Sequence, residues 1–186
     1  MALVADRARR LFTLEEYRRM VEAGILRETD RVELIDGEIL EMSPRGTRHW
    51  ACVANVTRIF VLGVGTRAVV SPQNAIEIPP SSAPEPDLAV VRPRSYKASL
   101  PVPDDVLLII EVADTSLRFD RTIKLSLYAR ARVREYWIAD VTAETVTVFR
   151  QPTSESYTDT RVVPSGSVVS PLAFPDLLIP VADLFA

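Results

Sequence analysis

Cysteine and histidine are almost absent: the 186 residues include one of each, Cys52 and His49. A lone thiol cannot close an internal disulfide, and neither a Cys-rich nor a multi-His zinc site can be assembled. Lysine is scarce too. Lys97 and Lys124 are the only two among 22 basic residues, which leaves 20 arginines. Arginine stays charged and forks onto phosphates or carboxylates, whereas a buried lysine can lose its proton. A lysine close to carboxylates therefore stands out in this chain. No apolar run approaches the length of a bilayer span, so no membrane partner is expected, and Val106 to Ile110 suits a buried strand instead. Met1 to Arg10 has no long apolar core, and its arginines follow rather than precede its apolar residues, so it does not read as a signal peptide. With no disulfide to form, a reducing cytoplasm is the expected location.

Apolar residues make up 47% of the chain, enough for a real core in one domain spanning residues 1–186. Net charge is −3 and the isoelectric point is near 5.3. That balance argues against a strong sequence-independent grip on duplex nucleic acid, which needs many phosphate contacts. A local basic face remains compatible with it.

Thr13 and Glu16 are spaced as a capping box, and Leu14, Tyr17, Met20 and Val21 follow helical periodicity until Gly24. Val32, Ile35, Ile39 and Met42 flank Asp36-Gly37, a strong hairpin turn. Thr47 to Leu62 reads as a second helix with Val53, Val56, Ile59 and Phe60 on its apolar face. Strands are expected at Arg67 to Ser71, Asn74 to Ile78, Asp87 to Val91 and Val106 to Ala113. A third helix spans about Arg121 to Ala131. Glu135 to Ala139 and Thr145 to Phe149 return to strand, one more strand follows from Tyr157, and the apolar end reads as loosely structured. Helices around a mixed central sheet make the fold α/β or α+β.

The chemistry lies where charge interrupts apolar strands. Glu111 sits between Ile110 and Val112, where a carboxylate is costly to bury unless a metal ion, a basic partner or an exposed strand end relieves it. Asp87 enters the apolar run Leu88 to Val91 from a proline-rich segment, and reads either as a loop-end hydrogen-bond acceptor or as half of a site. Together, two carboxylates on two such strands can converge. Hard oxygen ligands of this kind suit Mg²⁺, which takes only one or two carboxylates from protein. Such an ion acidifies water and stabilises charge on a phosphoryl oxygen.

Glu33 is a third candidate, since alternation places it with Ile35; the other reading is a solvated edge-strand glutamate. Lys124 shares a helical face with Tyr128 and could orient or deprotonate a water, or hold a phosphate; alternatively it is a solvated helix lysine beside a core tyrosine. His49 has no acidic partner close in sequence and reads as a surface or helix-start residue. Ser43, Ser71 and Ser116 lack a nucleophile elbow, which argues against a serine hydrolase.

The segments ELIDGEILEMSP with His49, then PEPDLAVV, then LLIIEVADTSLRFDRTIKLSLYARARVREYWIAD resemble the Uma-two family of endonucleases, within the PD-(D/E)XK nuclease superfamily. The resemblance runs from about Phe12 to Phe149, and Glu111 to Asp140 is its most specific stretch. It implies a restriction-endonuclease-like fold, a mixed central sheet flanked by helices. It implies that Asp87 and Glu111 are catalytic metal ligands, with the Val112 carbonyl adding another. Lys124 matches a catalytic lysine on the following helix, Glu33 an early glutamate near the site, and Tyr128 a tyrosine one turn beyond the lysine. The expected cofactor is Mg²⁺ or Mn²⁺, and the expected partner is nucleic acid, DNA foremost.

Two departures matter. Ala113 stands where the superfamily carries a strand lysine, so catalysis rests on Lys124 reaching the site. Asp114 stands where many relatives have serine, and could add a ligand or cap the following turn. A metal-dependent nuclease is the leading reading. Its rivals are a nuclease-fold binding or regulatory module, favoured by Ala113 and the acidic pI, and a phosphohydrolase acting on a small nucleotide. A homodimer or higher homo-oligomer is expected, with the tail Leu177 to Phe185 as one surface that could bury itself in a partner.

Overall fold

The computed structural model describes residues 9–186; the N-terminal reading of Met1 to Arg10 therefore lies largely outside the described residues. Helix α1 (Leu14–Glu22) starts at the Thr13/Glu16 capping box. Strands β1 (Val32–Ile35) and β2 (Glu38–Glu41) form a separate antiparallel hairpin. Its turn places Asp36 at φ 49° and Gly37 at φ 83°, the left-handed pair that a two-residue hairpin loop demands. Helix α2 (Thr47–Val64) then crosses the central sheet.

That sheet has six strands in the order β3-β4-β5-β6-β7-β8. They are β3 (Val69–Pro72), β4 (Leu88–Val91), β5 (Val106–Ala113), β6 (Glu135–Asp140), β7 (Thr145–Pro152) and β8 (Tyr157–Pro164). Only β5 and β6 run parallel; every other neighbouring pair is antiparallel. Between them the chain crosses over through α3 (Leu117–Phe119), a π-helical turn (Asp120–Lys124) and α4 (Leu125–Arg130). A parallel pair requires such a crossover.

The period-2 pattern of β5 sorts its residues between two cores. Leu108, Ile110 and Val112 pack toward α2 with Val56, Phe60 and Trp137. Ile109 and Ala113 pack toward α4 with Leu127, Tyr128 and Tyr136. Both faces of β5 and β6 are covered, which is why both strands read as nearly continuous apolar runs.

Two expectations change. Asn74 to Ile78 forms no sheet strand: Ile76 and Ile78 are buried, but only an isolated bridge from Ile78 to Ser82 is made. The facing segment carries Pro79, Pro80, Pro84 and Pro86, which supply no N–H donors for a ladder. The tail is ordered and folds onto its own chain. Strands β9 (Val168–Val169) and β10 (Ile179–Pro180) pair, and α5 (Ala182–Phe185) lies against α2. Ile179, Val181 and Leu184 are buried in the core on the α2 face, so these side chains are not available to a partner.

Cys52 lies on the buried side of α2, and burial together with the charge of Asp87 pushes its thiol up to about 12. The thiolate is the reactive species. The native protein should therefore not react with an aromatic disulfide reagent at about pH 8, and should release one equivalent of chromophore once unfolded in guanidinium. Rapid native labelling would contradict the burial.

Candidate metal and phosphodiester site

Asp87 and Glu111 meet because of strand register. Leu88 pairs with Ile110 in the antiparallel β4–β5 ladder, and one further step sets Asp87 opposite Glu111. Alternation puts both on the face that carries Ala89 and Ile109. Asp87 Oδ2 accepts the Val112 backbone N–H at 2.9 Å and lies 3.1 Å from His49 Nε2. Burial would raise the Asp87 pKa. The hydrogen bond and charge of His49, the Val112 N–H and Lys124 outweigh it and hold the acid below its ordinary value. The Val112 carbonyl projects from the same strand edge as its N–H, as backbone geometry requires.

Glu111 is only 3% exposed. Its Oε1 accepts hydrogen bonds from Lys124 Nζ at 3.0 Å and from the Tyr128 hydroxyl at 2.9 Å. Lys124 also lies 3.3 Å from Glu33 Oε2, and that oxygen accepts the Glu85 backbone N–H at 3.1 Å. Burial and the nearby charges of Asp120, Asp87 and Glu33 drive Glu111 well above the usual carboxylate range, against the pull of Lys124. Burial works to lower the pKa of Lys124, but Glu111, Glu33 and Asp120 overcome it and raise it, so the ammonium keeps its proton. Tyr128 is likewise held protonated, first by burial and then by Glu111.

The π-helical turn is the local device behind this arrangement. Such single-turn insertions recur at functional sites. Here the turn runs from Asp120 to Lys124, and Asp120, Lys124 and Tyr128 follow one another at i, i+4 and i+8. All three are buried. Asp120 accepts from the Ser116 hydroxyl, and burial pushes its acid up to about 6.

Glu33, Asp87, Glu111, Asp120 and Lys124 line a cleft of about 680 Å³. Met42 and Pro44 of the β2–α2 segment line it, as do Phe119 and Ile123 from the crossover. Arg31, Arg45 and Arg118 also line it. Asp114 lines the cleft as well and forms an ion pair with Arg48 at 2.7 Å.

The bland readings of two residues fail. Glu33 is 4% exposed rather than a solvated edge glutamate, and Lys124 is 5% exposed rather than a solvated helix lysine. His49 stands in the first turn of α2, as its helix-start reading expects, but it is buried, and its acidic partner is Asp87, 38 positions away. Two cleft residues, Glu85 and Asp120, are absent from the sequence-derived set. Both had a signal: Glu85 stands two before Asp87 on an extended segment, and Asp120 stands four before Lys124. Arg121 donates to the Thr147 hydroxyl at 3.3 Å.

The donor chemistry fits a hydrated divalent ion. Among the described residues no three acidic, histidine or cysteine side chains form a complete cage. A cage is not what Mg²⁺ requires: one or two carboxylates with retained waters suffice. Asp87 Oδ1 and Glu111 Oε2 make no protein hydrogen bond among those described, although both side chains border the cleft. Seven acids line the cleft (Glu33, Glu41, Glu85, Asp87, Glu111, Asp114 and Asp120) against four basic side chains (Arg31, Arg45, Arg118 and Lys124), an excess that a cation would offset.

The fold is thus the α+β class built on a mixed central sheet flanked by helices, of the restriction-endonuclease-like kind, with an acidic cleft at the crossover. The chain matches the family model Uma2, described as "Putative restriction endonuclease", over residues 14–182, and belongs to that family. Its structure is similar to the crystal structure of a "putative nuclease belonging to DUF820" from Anabaena variabilis. The two share 19% identity at a TM-score of 0.74, over 94% of this chain and 97% of that one. No curated protein matches the sequence. Among the described residues no helix is long and apolar enough to cross a membrane.

Proposed function

We propose that the chain is a metal-dependent endonuclease that hydrolyses phosphodiester bonds of nucleic acid, with DNA as the substrate. The observation that carries this reading is the convergence of Asp87, Glu111, Glu33 and Lys124 in one cleft that Arg31, Arg45 and Arg118 also line. Family membership supports the same activity.

Asp87, Glu111 and the Val112 carbonyl would hold Mg²⁺ or Mn²⁺. When bound, such an ion supplies Lewis acidity toward a phosphoryl oxygen and a water of lowered pKa. Lys124 acts as a donor rather than a base, because the carboxylates around it keep it protonated. From its place beside Glu111 it can orient the attacking water or stabilise charge on phosphate. It thereby takes the part of the strand lysine that Ala113 replaces. Glu33 and Tyr128 fix the two ends of the Lys124–Glu111 pair, and His49 fixes Asp87. Arg31, Arg45 and Arg118 are suited to flanking phosphates. The same reading takes the chain as one domain, supported by two core clusters that share the central sheet, one of them with members from Cys52 to Leu184.

The test is a cleavage panel of supercoiled plasmid, linear duplex, single-stranded DNA and RNA. Each is incubated with Mg²⁺, Mn²⁺ or EDTA. Cleavage of DNA that needs metal and stops with EDTA is the expected result. A folded protein that binds metal but cuts none of the four would refute the nuclease and leave a binding module. Cleavage undiminished by EDTA would refute the metal.

A further inference from the structure

Strand β8 closes one end of the central sheet. Its inner edge pairs with β7. Along its outer edge, Thr158, Asp159, Thr160, Arg161 and Val162 are exposed in an unbroken run. Among the described residues no other segment pairs its backbone with these five. An edge of this kind presents free N–H and C=O groups and is a template for another strand. Natural sheets blunt such edges with a proline, a bulge, short length or charged side chains, lysine above all. The opposite edge, β3, is only four residues long and ends in Pro72. The exposed run of β8 has no proline, and its two charges are of opposite sign.

Those two charges determine which partner fits. Asp159 and Arg161 flank Thr160 symmetrically, and neither makes an ion pair among the described residues. When β8 is laid antiparallel on a second β8 with the two-fold axis at Thr160, Thr160 faces its own copy. Asp159 of each chain then faces Arg161 of the other, twice over. Thr158 faces Val162, an aliphatic side chain that is 58% exposed in the single chain. Directly opposite pairs of unlike charge stabilise an antiparallel ladder, and like pairs destabilise it. An isologous contact must be complementary to itself, and this sequence is so only in that register.

We propose that β8 is a self-association edge, and that two copies of the chain join through it into one continuous twelve-stranded sheet centred on Thr160. The interface stands apart from the cleft, so it does not depend on the nuclease reading.

Sedimentation equilibrium over a concentration series tests it, with wild type, Asp159→Arg, Arg161→Asp and the double exchange Asp159→Arg/Arg161→Asp. Each single reversal sets like charges opposite each other at both ends of the ladder. Dimerisation should weaken about ten-fold or more in either single variant, equivalent to about 1.4 kcal/mol. The double exchange, which restores unlike pairs, should recover the wild-type constant. Circular dichroism should be unchanged throughout, since both side chains are exposed. A wild type that is monomeric at every concentration overturns the proposal. So does a dimer indifferent to the single reversals, or one that the double exchange fails to rescue.

Discussion

Lys124→Met should lose cleavage by about 10²–10³-fold, the scale of removing one preorganised donor from a transition state. It should also lose about 3–5 kcal/mol of stability, because one partner of a buried ion cluster disappears while the others stay. Methionine keeps the length and the apolar stem and removes the charge. Glu111 and Glu33 then face each other's charge without the ammonium that now lies 3.0 and 3.3 Å from them. Glu111 already sits high in the native protein, mainly through burial, and loses the strongest influence holding it down. Urea unfolding and single-turnover cleavage measure the two effects. A triple variant, Glu33→Gln, Glu111→Gln and Lys124→Met, separates them: it should recover much of the stability, because no charge is left unpaired, and no cleavage. Lys124→Arg should not rescue, since the planar fork has no room in a site where the lysine is 5% exposed. Wild-type cleavage by folded Lys124→Met would remove the lysine from the mechanism.

Asp87→Asn should reduce metal-dependent cleavage by about 10³-fold, several kcal/mol of transition-state stabilisation. The amide oxygen can still accept the Val112 N–H, so the local shape survives and the anionic ligand does not. The direct readout is thermal unfolding with and without Mg²⁺. At a hundred-fold excess over its dissociation constant, an ion bound only to the native state adds about 2.7 kcal/mol. The wild type should show that gain and Asp87→Asn should not. An equal gain in both proteins would move the metal away from Asp87. The pH profile has a definite sign as well. The folded pKa of Asp87 lies below its unfolded value, so its contribution is complete at neutral pH. It is lost as pH falls through the folded pKa. Asp87→Asn should therefore flatten the acid side of the stability curve.

Much of the scaffold could be read from local pattern. The Thr13/Glu16 capping box, the Asp36-Gly37 turn and the apolar runs of β4 and β5 depend on neighbours a few positions apart, and each has its counterpart in the structure. The tail was less legible. Its short apolar pieces carry no periodicity of their own, and they become ordered by packing on α2. Asn74 to Ile78 misled because β-branched residues mark burial, not ladder pairing, and its proline-rich surroundings cannot supply that ladder.

The sequence by itself determined that two carboxylates interrupt two apolar strands and that one rare lysine follows them on a helix. That is chemistry written in residue type, and it points to a hard metal ion and phosphate. What only the tertiary structure decided is which groups meet: Asp87 with His49, Lys124 with both Glu33 and Glu111, and Asp114 with Arg48. Strand register and the π-helical turn choose those partners across separations of 13 to 91 positions (Glu111 to Lys124, Glu33 to Lys124). The protonation of each group follows from burial among the others, a property no single segment carries.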